Sequence, residues 1–169
     1  KLEYNWRKGF TLIELLVAMT IFMVVITVAT GAFIRALRTQ RQLVAFSSAN
    51  SNVSLVLEQM AREIRVGRDF VVEEDDRLSF TNGKGESVQY ALDQEKRALL
   101  RTSPGNPPRP LTSDNVSIND LQFTGLYLDP NDLYPARITV YIAVSPIERG
   151  IETSEVRLQT TISARNLGT

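Results

Sequence analysis

The sequence contains no cysteine and no histidine in 169 residues. Without thiols there is no disulfide framework, thiolate metal site or cysteine nucleophile, and without imidazole there is no histidine acid or base near neutral pH. A folded domain in this chain is therefore held by its apolar core alone, and the length leaves room for one modest domain. Charge of one sign is also lacking: 19 basic and 19 acidic residues cancel. No bulk field draws the molecule to nucleic acid or to an acidic surface. No proline precedes Pro104, so nothing in the first half of the chain forces a helix to break.

What is present is a long apolar run. From Phe10 to Ile34 every residue is apolar, small or hydroxyl-bearing except Glu14, and Leu15 to Ile34 carries no charge at all. As a helix that uncharged part spans about 30 Å, the thickness of a bilayer's hydrocarbon core. A carboxylate in such a segment is costly, by about 2.5–3.5 kcal/mol at the bilayer centre and less near the interface. An acid there marks a functional site with a partner to be named. A secretory signal fits poorly, despite Ala29, Gly31 and Ala32 as a small-residue stretch, because its apolar region is shorter.

The residues Gly9-Phe10-Thr11-Leu12-Ile13-Glu14, behind Arg7 and Lys8, resemble the processing site of type IV pilins and pseudopilins. The resemblance implies cleavage between Gly9 and Phe10 by a prepilin peptidase, N-methylation of the new terminal Phe10, and a role for Glu14 in assembly. Cleavage would create an α-amino group with a pKa near 8 at a helix N-terminus, where partial positive charge already sits. Glu14, one turn along, could neutralise it. Pairing instead with the amine of a neighbouring subunit would fix axial register without much net stability.

The sequence divides into a polar leader at 1–9, a transmembrane or assembly helix at 10–34, an amphipathic continuation at 35–67 and a β-rich head at 68–169. The first residue is Lys1 rather than a methionine, which leaves a start upstream of it open. Arg35, Arg38 and Arg41 balance Lys1, Arg7 and Lys8 across the apolar run, so the positive-inside rule does not set the orientation. The resemblance implies a leader in the cytoplasm and a head outside it. Gly31 stands where many pilins have a helix-breaking proline. It reads as a flat spot for close helix packing, or alternatively as a hinge.

Beyond Ile34 the helix is expected to continue to Val66, about 85 Å in all. Leu43, Phe46, Asn50, Val53, Leu57, Met60 and Ile64 form a stripe at spacings of three and four, while Glu58 and Arg62 make an i, i+4 pair on another face. Gly67 offers a stop. From Arg68 the apolar period changes to two. Leu78 and Phe80 precede Asn82-Gly83, a hairpin signal, and Val88, Tyr90 and Leu92 follow. Residues 93–96 turn the chain into a short strand at 98–102, and Pro104 to Pro110 read as a loop because proline removes ladder donors. Val116 to Leu128, Ile138 to Val144 and Val156 to Ala164 complete the strands.

Short connections imply an antiparallel sheet with one apolar face, which the striped helix half would cover. The fold class is α+β: one long N-terminal helix packed on an antiparallel sheet, in the manner of pilins. Element order is most similar to the J-type pseudopilins of type II secretion and the W-type minor pilins.

Other candidates for chemistry are weak. Glu73 to Asp76 read as a solvated turn. Asp129, Asn131 and Asp132 could offer oxygens to calcium, but the spacing lacks the glycine and distal glutamate of a loop site. Gly83-Lys84-Gly85 lacks the phosphate-loop frame. Tyr127, Tyr134 and Arg137 read as surface, so nucleic acid is not indicated. No catalytic, cofactor-binding or metal residue is assigned, and an enzyme is not expected.

The expected function is that of a structural subunit, a minor pilin or pseudopilin of a type IV pilus or type II secretion pseudopilus. It would wait in the inner membrane by a single pass with its head extracytoplasmic, then enter a filament. The resemblance implies the prepilin peptidase, other pilins or pseudopilins, and an inner-membrane platform with its ATPase as partners. The alternative is a membrane-anchored binding module or adhesin that forms no filament.

Overall fold

The computed structural model describes residues 9–129, 132–147 and 155–165. It opens on one helix, α1 (Leu12–Arg65), and the chain divides into two compact units, residues 1–42 and 43–169. The α+β pilin-like class expected from the sequence is the one observed: a long N-terminal helix and antiparallel strands.

In the first unit every described residue is exposed. Helix continuity here follows from local bonding, since no proline interrupts the ladder and each backbone group finds a partner one turn away. The Thr20 and Thr27 hydroxyls donate back to the carbonyls of Leu16 and Met23 at 2.9 and 2.8 Å, so neither presents a free donor to an apolar surrounding. Gly31 lies within the unbroken helix, and a methyl group added there would meet nothing within 4 Å. This stretch is long and apolar enough to cross a membrane.

The second unit carries the core. β1 (Arg68–Glu73), β2 (Arg77–Thr81), β3 (Ser87–Asp93), β4 (Ala98–Ser103) and β5 (Asn106–Pro110) pair in sequence order as one antiparallel sheet. β6 (Val116–Leu126), β7 (Arg137–Pro146) and β8 (Val156–Ser163) form a second. The strands thus divide between two sheets where one was expected. Turns of the first close on the outer edge of β6: Ile118 N–H donates to the Arg97 carbonyl at 2.8 Å and Phe123 N–H to that of Asp75 at 2.5 Å. Ala49, Val53, Val56, Leu57, Met60 and Ile64 of α1 share one core with Leu78, Phe80, Tyr90 and Leu99 of the first sheet and Phe123, Ile138, Val140 and Ile142 of the second. The buried helical stripe includes Ala49 and Val56, whereas Leu43 and Asn50 are exposed. Val53, Leu57, Met60 and Ile64 of the expected stripe are buried, so the face was read correctly over its C-terminal part and fails only toward Leu43, where the sheets no longer lie opposite.

Residues 104–110 differ from expectation. The expected loop contains β5, which pairs with β4 through Leu100 and Pro110, Arg101 and Arg109, and Ser103 and Asn106. An edge strand needs donors on one side only, so three prolines are tolerated there. At Gly67 the demand is for space rather than for a special dihedral. An added Cβ would lie 2.7 Å from the Phe80 ring, and Phe80 stacks between Phe70 and Tyr90 at 5.5 and 5.8 Å. The Asn82-Gly83 hairpin exists, but its positive φ falls at Gly85 and the Asn82 side chain organises it, accepting from Lys84 and Glu86 N–H.

Candidate functional site

Gly9, Phe10 and Thr11 precede α1 without regular structure. Phe10 is 89% exposed, and a side chain added at Gly9 would meet nothing within 4 Å. The Gly9–Phe10 segment is therefore exposed among the described residues.

Thr11 occupies the N-cap and Glu14 the third helical position, and the two form a reciprocal capping box. Glu14 N–H donates to Thr11 Oγ1 at 3.3 Å, and the Thr11 N–H and hydroxyl both donate to Glu14 Oε2 at 3.0 Å. The T-x-x-E spacing that announces this box is present in the sequence, although Glu14 was expected there only as an assembly residue of the processing motif and not as part of a cap. The box needs nothing on the N-terminal side of Thr11, so it survives a cut before Phe10. It engages one carboxylate oxygen. Glu14 Oε1 has no hydrogen-bond or ionic partner among the described residues, although the side chain rises from an uncovered apolar helix.

A second glutamate of α1 behaves oppositely. Glu63 lies beside the buried stripe, and its carboxylate accepts from Arg101 Nη2 and Nε at 2.6 and 3.0 Å, from the Tyr90 hydroxyl at 2.5 Å and from Asn82 Nδ2 at 3.5 Å. Burial opposes its charge, but the hydrogen bonds from Arg101, Tyr90 and Asn82 prevail and hold Glu63 below the ordinary glutamate value. Burial first, then the bond to Glu63, pushes the Tyr90 hydroxyl well up. The bond to Glu63 raises Arg101. Sequence reasoning missed this cluster, because its four members are brought together only by the packing of helix on sheet.

The other candidates remain apart. Glu74 and Asp75 form an exposed tight turn with positive φ at both. Asn131 lies outside the described residues, and Asp132 N–H donates to the Asp129 carbonyl at 3.0 Å. Among the described residues no group of three acidic side chains is placed to hold a metal. Tyr127 and Tyr134 contact each other at 5.1 Å, with Arg137 exposed at the start of β7.

Residues 7–30 match the family model of the prokaryotic N-terminal methylation motif. The match contains Gly9, Phe10, Thr11 and Glu14 and ends within the apolar half of α1. The chain carries a prepilin-type N-terminus. Beyond it, no curated protein and no solved structure matches the chain.

Proposed function

We propose that the chain is a processed, filament-forming subunit, a minor pilin or pseudopilin, rather than an enzyme. A prepilin peptidase cuts between Gly9 and Phe10, releasing the leader at 1–9, and Phe10 is then N-methylated. Residues 10–34 anchor the subunit in the inner membrane with its head, residues 68–169, on the extracytoplasmic side. They later pass into a filament of like helices. That transfer exchanges lipid contacts for protein contacts, so the apolar surface never meets water. Gly31 allows a neighbouring helix to approach closely.

The observation that carries this reading is Glu14: one oxygen closes the chain's own capping box and the other has no partner among the described residues of an apolar helix. An ammonium from an adjacent subunit's Phe10 meets that oxygen's need. Several such pairs fix the axial register of the helices, and the membrane platform with its ATPase drives insertion.

The deciding experiment uses Glu14→Gln, which preserves the T-x-x-Q form of the capping box while removing the charge. Cleavage and membrane insertion should persist, and incorporation into filaments should be lost. Normal incorporation of the variant, or a wild-type protein whose mass still includes residues 1–9, overturns the proposal and favours a membrane-anchored binding module.

A further inference from the structure

The two edges of the five-stranded sheet differ in charge. At the β5 edge a depression of about 410 Å³ is lined by Gln59, Arg62, Glu63, Arg101, Arg109 and Leu111. It shares Arg101 and Arg109 with an adjoining depression of about 500 Å³ walled by Pro107, Pro108 and Pro110. Arg101 is committed to Glu63, and Arg62 bonds Glu58 at the surface. Arg109 has no acidic partner among the described residues. The edge cannot accept another strand in regular pairing, because three of the five β5 residues are proline and lack N–H. A partner there must engage side chains.

At the opposite edge, the turn from β1 to β2 presents Glu73, Glu74 and Asp75, while Asp76 is half-buried. Glu73 is shared with Arg77 at 3.5 Å, while the side chains of Glu74 and Asp75 are exposed and without partners among the described residues. Overall neutrality thus conceals a segregation, with an arginine trough beyond β5 and an acidic tip beyond β1. Complementary patches on opposite sides of one body make a heterologous, head-to-tail contact, which builds a filament when its rotation does not close into a ring.

We infer that the acidic β1–β2 turn of one copy docks in the Arg109 trough of the next, a head-to-tail contact between copies of this chain. The proposal rests on the reading of the chain as a filament subunit and supplies a contact between heads that the N-terminal motif does not. The proline walls and Leu111 give the trough apolar sides. Arg109 supplies a fork for carboxylates, and Glu74 and Asp75 are held at the tip by their left-handed backbone conformation.

The natural absence of cysteine makes the test direct. Full-length chains bearing Glu74→Cys and Arg109→Cys are expressed together in membranes and mildly oxidised. Disulfide-linked dimers are expected only in the mixture, and a ladder of multimers from the chain carrying both substitutions. Adding Asp75→Asn, which tolerates the same backbone conformation, should lower the yield several-fold, as should raised salt. Both cysteine positions are exposed, so folding is not at stake. No linkage in the mixture, linkage of either single variant to itself, or insensitivity to Asp75→Asn overturns the contact. Filament incorporation of the wild-type chain is followed in the same cells. Incorporation without linkage rejects the contact and leaves the subunit reading intact, whereas linkage without incorporation supports the contact and rejects that reading.

Discussion

Glu14 and Glu63 lie on one helix and meet opposite fates. Glu63 is surrounded by four donors from three residues and needs nothing more. Glu14 has only Thr11, which satisfies one oxygen. The difference lies in what covers the helix. Around Glu63 the first sheet brings Arg101, Tyr90 and Asn82 to the helix face, so the charge is matched within the chain and the residue serves the stability of the head. Around Glu14 no described residue covers the helix. On the proposed reading, the second oxygen of Glu14 takes its partner from another subunit.

The largest expected effect tests that contrast at Glu14. Glu14→Gln should reduce filament incorporation by roughly a hundredfold, the scale set by leaving one member of a buried ion pair alone. Immunoblotting of sheared filaments against membrane fractions measures it, and head stability should not change. At Glu63 the pattern should invert. Glu63→Ala strands Arg101 in a largely covered site and should destabilise the head by about 2 kcal/mol, read from urea unfolding of the full chain in detergent. The same cluster predicts a pH dependence. Because the folded-state pKa of Glu63 is lowered, its contribution is complete above the ordinary value of 4.5 and is lost as pH falls through the lower folded value. The Glu63→Ala variant should lose part of that acid sensitivity. Tyr90→Phe removes a single hydrogen bond and should cost about 1 kcal/mol. The smallest effect is expected for Thr11→Ala, which should fray the first turn of α1 in amide exchange while leaving incorporation close to normal. A large loss of incorporation in Thr11→Ala would mean that the cap, rather than the charge, is what assembly reads.

Several elements were legible residue by residue. Ile138, Val140, Ile142 and Val144 are all buried in β7 as expected, although Ala143 between them is buried as well, because a strand flanked on both sides by others has a fixed inward face. The Glu58–Arg62 pair formed as spacing predicts. The β6 strand was harder to read, since Ile118 and Leu121 are both buried and three apart. A register shift between Ile118 and Asp120 reconciles them, and a bulge leaves only a broken alternation in the sequence. β5 was illegible for another reason. Proline reports a missing donor without telling whether that donor would have faced a neighbour or solvent, and only the sheet order places it on an edge.

Sequence alone decided what depends on near neighbours: the apolar N-terminal helix, the Thr11–Glu14 spacing and most of the alternating strands. Their determinants lie within a turn or a hairpin, where backbone geometry makes adjacency in the chain equal adjacency in space. Tertiary structure decided the split into two sheets, the covered helical face, the four-residue cluster at Glu63 and the opposition of an acidic turn to an arginine trough. Each of these joins residues from distant parts of the chain, and such contacts are specified by complementary shape and charge across a packed core, which no local pattern encodes.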